Sequence, residues 1–258
     1  VTRLAQDHKA PALRSACGIA EFGKRVVVWG KDLHEECMEM SFVHYYLFCA
    51  TGRWFDEKRA RIFEQLWIST GYPDGRLWCN RIAGYLGSAH VDPGLAISAA
   101  LAASNSTIYG LGALNAAYGL QCEIPEDLGE RESWLKTQIA EKRILPGYGR
   151  PVPFQDERVA IVYRTLARHQ LQAGAALRRA YWLGKRLTTE KGIELNVAGT
   201  WAAVSIDFGM TGDEFEAFML LMLSPGYIAV YTDQHRRKPL TFLSGYQSRG
   251  STKSTNGT

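Results

Sequence analysis

Apolar positions along the chain recur mostly at the three-to-four-residue spacing of helices. In "FDEKRARIFEQLWISTG", residues 55–71, Asp56 fits an N-cap, Phe63, Leu66 and Trp67 form one face, and Gly71 is a stop. "DLHEECMEMSFVHYYLFCATG", residues 32–52, predicts a helix with an acidic first turn that ends at a glycine. "VDPGLAISAALAAS", residues 91–104, has almost no charge, so it predicts a helix buried on all sides at the centre of the fold, with Asp92 as its cap. "STIYGLGALNAAYGL" follows, with glycines where two backbones have to touch. "RESWLKTQIAEKR" is an amphipathic surface helix. Residues 157–192 are a long or broken basic helical stretch, and "LNVAGTWAAVSIDFG", residues 195–209, is another buried helix. Residues 211–237 open on a Thr211/Asp213 capping signal and end in cations, which the helix dipole favours. "KRVVVWGKDL", residues 24–33, is the one strand-like piece. The first dozen residues carry little apolar pattern, and the tail 250–258 has nothing to bury and is expected to be disordered.

One segment breaks this rhythm. "LPGYGRPVPFQDERV", residues 145–159, holds three prolines and two glycines between two helical patterns. Both residue types interrupt helices, so a surface loop is expected. Composition changes the picture little: 46% hydrophobic and 22% charged residues are ordinary for a chain that buries a core. The net charge of +4 is spread along the length and argues against a nucleic-acid binder. Five cysteines without a CxxC pair read as small buried hydrophobes in a reducing compartment, hence a cytoplasmic protein. The run "FMLLMLSPGYIAVY" is read as too short and too interrupted to span a bilayer. The six histidines lack metal-ligand spacing, so no metal is expected. "GLG" at 110–112 is no dinucleotide fingerprint, and neither a P-loop nor a GxSxG elbow occurs.

Three collinear segments, "GSAHVDPGLAISAALAASNSTIYGLGALN", "PGYGRPVPFQDERV" and "IELNVAGTWAAVSIDFGMTGDEFEAFMLLMLSPGYIAVYTDQHRR", together resemble citrate synthases. They are closer still to citryl-CoA lyases and the matching domain of ATP-citrate lyase. "GKDLHEECMEMSFVHYYLFCATGR" is similar to that family's first core helix. The resemblance implies a mostly α, two-domain, homodimeric fold. Residues 1–112 and 196–258 would form the large domain, and 113–195 the small one. It also implies a site between the domains for a coenzyme A thioester, with Leu145, Pro146, Gly147, Tyr148 and Gly149 wrapping the nucleotide, and neither a nucleic-acid nor a membrane partner.

The family's chemistry uses two histidines and an aspartate; the matching positions here hold Tyr109, Arg150 and Ala198. A methyl group takes no proton, so the family's route to an enolate is closed at residue 198. A tyrosine remains a donor for an oxyanion, and an arginine remains a donor but is permanently cationic. Arg158 and Asn196 are retained as substrate-binding candidates, Arg237 or Lys238 match the family's C-terminal arginine, and His90 is a candidate base beside the central helix. Two functions are compatible with this set. One is a divergent enzyme that makes or breaks a C–C bond next to a carbonyl, or hydrolyses the thioester, with Tyr109 and Arg150 as donors. The other is a non-catalytic relative that binds coenzyme A or a polycarboxylate as sensor or scaffold.

Overall fold

The computed structural model describes residues 15–151 and 155–240. The expectations for the first dozen residues and for the tail 250–258 lie outside them. The chain begins with an antiparallel sheet of β1 (Gly18–Glu21), β2 (Arg25–Val28) and β3 (Lys31–Asp32), in that order, with Ile19 opposite Val27 and Val27 opposite Asp32. The valine run is therefore a strand, as its β-branched residues suggest. The helices follow as α1 (Phe42–Thr51), α2 (Glu57–Thr70), α3 (Trp78–Ser88), α4 (Pro93–Ser104), α5 (Leu111–Glu123), α6 (Leu128–Ala140), α7 (Glu157–Arg168), α8 (Ala175–Lys191), α9 (Val197–Asp207), α10 (Gly212–Met219) and α11 (Ser224–His235). The mostly α expectation is met.

Helix α9 lies at the centre, packed by α5, α7 and α8, and Trp201 on it stacks on Phe63 of α2. Phe63, Leu66 and Trp67 of α2 are buried, and Asp56 caps that helix through Arg59 N. Thr211 and Glu214 form a full capping box on α10, one residue beyond the Thr211/Asp213 pair expected from sequence. The stretch 157–192 is broken, into α7 and α8. Helices α3, α4 and α11 pack together beside this core around Cys79, Ala83, Ala96, Ala100 and Tyr227.

Several expectations fail for physical reasons. Helix α1 starts ten residues after Asp32. Asp32 Oδ1 accepts from the amides of His34 and Glu35 and so forms a turn, and the cap that starts the helix is Ser41. Helix α4 is not buried all round: Ala96, Ala100 and Ser104 face its neighbours, whereas Leu95 is 67% and nearby Ile108 81% exposed. Of the five cysteines only Cys37 and Cys79 are buried, and all are free thiols. The loop at 145–149 is no surface loop, because Leu145, Gly147 and Tyr148 are buried. The apolar run at 218–231 is interrupted as expected, by the turn 220–223 between α10 and α11; the stretch Gly212–His235 is long and apolar enough to cross a membrane by length and composition alone, and half of its most apolar window is buried in the fold.

Candidate functional site

The loop between α6 and α7 is held by glycines that no other residue replaces. Gly147 has φ of +90°, and a Cβ there would lie 2.7 Å from the Cα of Gly199 in α9. Gly147 O accepts from Asn196 N at 3.0 Å, and Gly149 N donates to Glu194 O at 2.7 Å. Asn196 caps α9 through the amides of Ala198 and Gly199, and its Nδ2 donates to Gly149 O at 2.7 Å. Tyr148 turns inward, its hydroxyl donating to Ala180 O at 3.1 Å and accepting from Gln121. Leu145 is likewise buried, so the loop's outward offer is backbone and Arg150.

The start of α7 gathers the charges. Asp156 caps that helix from a buried position; its carboxylate holds Arg158 through Nε at 2.7 Å and Nη2 at 2.9 Å and accepts Val197 N at 2.9 Å. Burial alone would raise the Asp156 carboxyl, but the Arg158 bonds and charge outweigh it and hold the group below its ordinary value. Arg150 Nη1 donates to Glu157 Oε2 and to Gln155 O, both at 2.9 Å. Glu157 also accepts from the Tyr72 hydroxyl. That bond, with Arg150, holds the Glu157 carboxyl at about 2. The Arg158 guanidinium lies 5.1 Å from the centre of the Tyr72 ring.

Tyr109 follows α4 and packs against the Cys79, Ala96, Ala100 and Tyr227 cluster. The adjacent turn requires Gly110, with φ of +79°, where a Cβ would meet Ser104 O at 1.9 Å. Burial pushes the Tyr109 phenol up to about 12, with the Cys79 thiol adding and Arg158 opposing, so it stays neutral at physiological pH. Its hydroxyl makes no hydrogen bond among the described residues and is free to donate. The hydroxyl of Tyr227 is buried beside Ser104. A cavity of about 650 Å³ runs from Asp156 and Glu157 to Tyr163, Tyr181, Lys185 and Glu194, beside the loop. Lys185 sits 4.9 Å from the centre of the Tyr181 ring.

The structure thus brings together Arg158, Arg150, Asn196, Ala198 and the loop 145–149, while Tyr109 packs in the neighbouring cluster of α3, α4 and α11 and is linked to them through the charge of Arg158. His90 precedes α4, its ring 4.5 Å from that of His235, which in turn stacks on Tyr231. Arg237 pairs with Asp233 beyond the end of α11, whereas Tyr227 marks the first turn of that helix beside Tyr109. Sequence reasoning missed Tyr72, Asp156, Glu157 and Tyr227. Asp156 and Glu157 were in view in "QDERV", but nothing in "GYPDG" points to Tyr72.

Comparisons agree with this architecture. No curated protein matches the sequence. Among solved structures, a citryl-CoA lyase from Hydrogenobacter thermophilus superposes with a TM-score of 0.76 at 18% identity, over 93% of this chain and 96% of that one. An aspartate-to-alanine variant of the Methanosaeta concilii ATP citrate lyase, in complex with (3S)-citryl-CoA, gives 0.73 at 17% identity over 95% of this chain; the chain spans 43% of its length. The citrate synthase of Thermotoga maritima MSB8 gives 0.61 at 22% identity, over 75% of this chain and 53% of that one. These likenesses establish the fold. The model of the citrate synthase C-terminal domain matches residues 6–241, and the chain therefore belongs to the citrate synthase family.

Proposed function

We propose that the protein is a lyase-type enzyme of this family that binds a coenzyme A thioester and breaks a carbon–carbon bond next to the thioester carbonyl. The observation that carries this reading is Tyr109: a neutral, half-buried phenol with no hydrogen-bond partner among the described residues, near enough to Arg158 to feel its charge. Such a donor stabilises negative charge as it develops on a thioester oxygen. In cleavage of a β-hydroxyacyl ester the hydroxyl gives its proton to water and becomes a carbonyl as the carbon–carbon bond breaks, the electron pair of that bond enters the thioester as an enolate, and the enolate carbon takes up a proton from water, so no carboxylate is needed at residue 198 to remove an α-proton. The family resemblance puts the nucleotide against Leu145–Gly149, and the cavity lined by Tyr163, Tyr181 and Lys185 supplies aromatic faces and a cation beside that loop. The ligand then lies between residues 113–195 and a larger lobe of 1–112 and 196–258.

The exposed apolar face at Leu95 and Ile108 supports a homodimer, in which a second copy covers α4. Arg237 and Lys238 then serve the partner's site. A cytoplasmic setting accords with the five free thiols.

The test is calorimetry with coenzyme A and a panel of acyl esters, followed by mass spectrometry of each bound ester. Chain-shortened ester or free coenzyme A, reduced in Tyr109→Phe, supports the enzyme. Ester that binds and stays intact supports the second reading, a non-catalytic coenzyme A binder. Ala198 and the pairing of Arg150 with Glu157 favour that alternative.

A further inference from the structure

Helices α3 and α11 run parallel and very close. A Cβ on Gly226 would lie 3.2 Å from the Asn80 side chain, one on Gly84 3.0 Å from the Val230 side chain, and one on Gly87 2.6 Å from Tyr231 O, so the two helices advance in the same direction. Both therefore end at one corner of the fold. Each carbonyl end carries a partial negative charge of about half an elementary unit, which favours a cation there. Each helix also brings a histidine to that corner: His235 closes α11, and His90 follows Ser88, the last residue of α3, across the turn. Both are exposed, and their ring centres are 4.5 Å apart.

Both imidazoles are held in place. His90 has φ of +56° in the turn that ends α3, where His90 N donates to Gly87 O and Val91 N to Leu86 O. Glycine is the usual residue at such a left-handed position, so a histidine is kept there at some cost in strain. His235 stacks on Tyr231, with ring centres 5.4 Å apart. The Tyr231 hydroxyl gives its single proton to Val91 O at 2.7 Å, so its oxygen is left to accept Nδ1–H of His235 at 3.4 Å. That bond selects the tautomer in which Nε2 of His235 carries a free lone pair, as outer oxygens do for histidine ligands. Of the cations that follow His235, Arg237 bonds to Asp233 at 2.7 Å and, with Arg236, holds that carboxyl below its usual range.

The ring separation bears on the kind of ion. With a metal–nitrogen bond of about 2.0 Å and the ring centre about 1.2 Å beyond, two imidazoles on one ion have centres about 4.5 Å apart at a right angle and about 5.2 Å apart at the tetrahedral angle. The separation here is the right-angled one, which suits nickel(II) or copper(II) better than zinc(II).

We propose that His90 and His235 form a two-histidine site for such a late divalent transition metal, which pins the end of α11 to the turn before α4. Among the described residues no third side-chain ligand joins them, so water fills the other positions. The spacing of histidines along the chain gives no hint of the pair, because the packing of two distant helices creates it.

Nickel chloride titrated into the full chain by calorimetry tests the site. One ion per chain is expected, bound about tenfold or more weakly in each of His90→Gln and His235→Gln. Nickel is expected to raise the melting temperature of the wild type and to leave that of either variant where it was. The exposed thiols of Cys17 and Cys122 also attract nickel, and uptake through them would survive both histidine substitutions. A second measurement needs no variant: paramagnetic broadening of the wild-type imidazole NMR signals is expected first at His90 and His235. No uptake of nickel, uptake that both variants retain in full, or broadening spread evenly over the six histidines overturns the proposal.

Discussion

At the scale of single residues, the proposed chemistry concentrates on a phenol. Replacing Tyr109 by Phe removes only the donor, so a fall of about 10² to 10³ in turnover is expected, with coenzyme A affinity unchanged. Steady-state rates and calorimetry on the same preparation separate the two. Glu157 gives a second prediction. Its carboxyl ordinarily titrates at 4.5 and is held at about 2, chiefly by Tyr72. A lowered value means that the stability it contributes is full above 4.5 and is lost as pH falls toward 2. Tyr72→Phe is expected to move that loss upward, toward 4.5, which carboxyl NMR titration reads directly. The pairing was invisible in the sequence because its partners stand 85 positions apart and belong to different elements. Tyr109, Arg150 and Arg158 were legible because each sits within a contiguous motif.

At the scale of elements, the loop 145–149 and the N-terminus of α9 act as one unit. Gly147→Ala is expected to cost about 1 to 3 kcal/mol, because the new methyl meets Gly199 and the backbone is left-handed there. Denaturant unfolding measures it. Asp156→Asn is expected to cost about 3 to 5 kcal/mol, since Arg158 is left largely buried without its anion. Helices α2 and α9 could be read from sequence because caps, spacing and stops agree. The start of α1 could not: acids at 32–36 look like a helical first turn, yet they serve a turn of their own. Helix α4 misleads differently. An apolar helix has the same sequence whether its own chain or a second copy covers it.

At the scale of the whole molecule, the order of segments carries the fold. The match spans residues 6–241, and the resemblance puts Tyr109, Arg150 and Ala198 where the family carries its catalytic side chains. A core tolerates such changes because Trp201, Phe63 and Phe218 pack on one another, while Tyr109 belongs to a separate cluster and Ala198 lies only at the edge of theirs. The proposed dimer predicts a sedimentation mass of twice the 28.8 kDa chain, falling to one chain in Ile108→Glu. A wild-type monomer would leave the apolar face of α4 without the partner assigned to it.

The measurement that bears most directly on the whole account is mass spectrometry of acyl-CoA esters after incubation with wild-type protein and with Tyr109→Phe. Shortened ester or free coenzyme A from the wild type, and about a hundredfold less from the variant, is the predicted result. Equal conversion by both proteins would contradict the role of Tyr109, and intact ester from both would contradict catalysis itself.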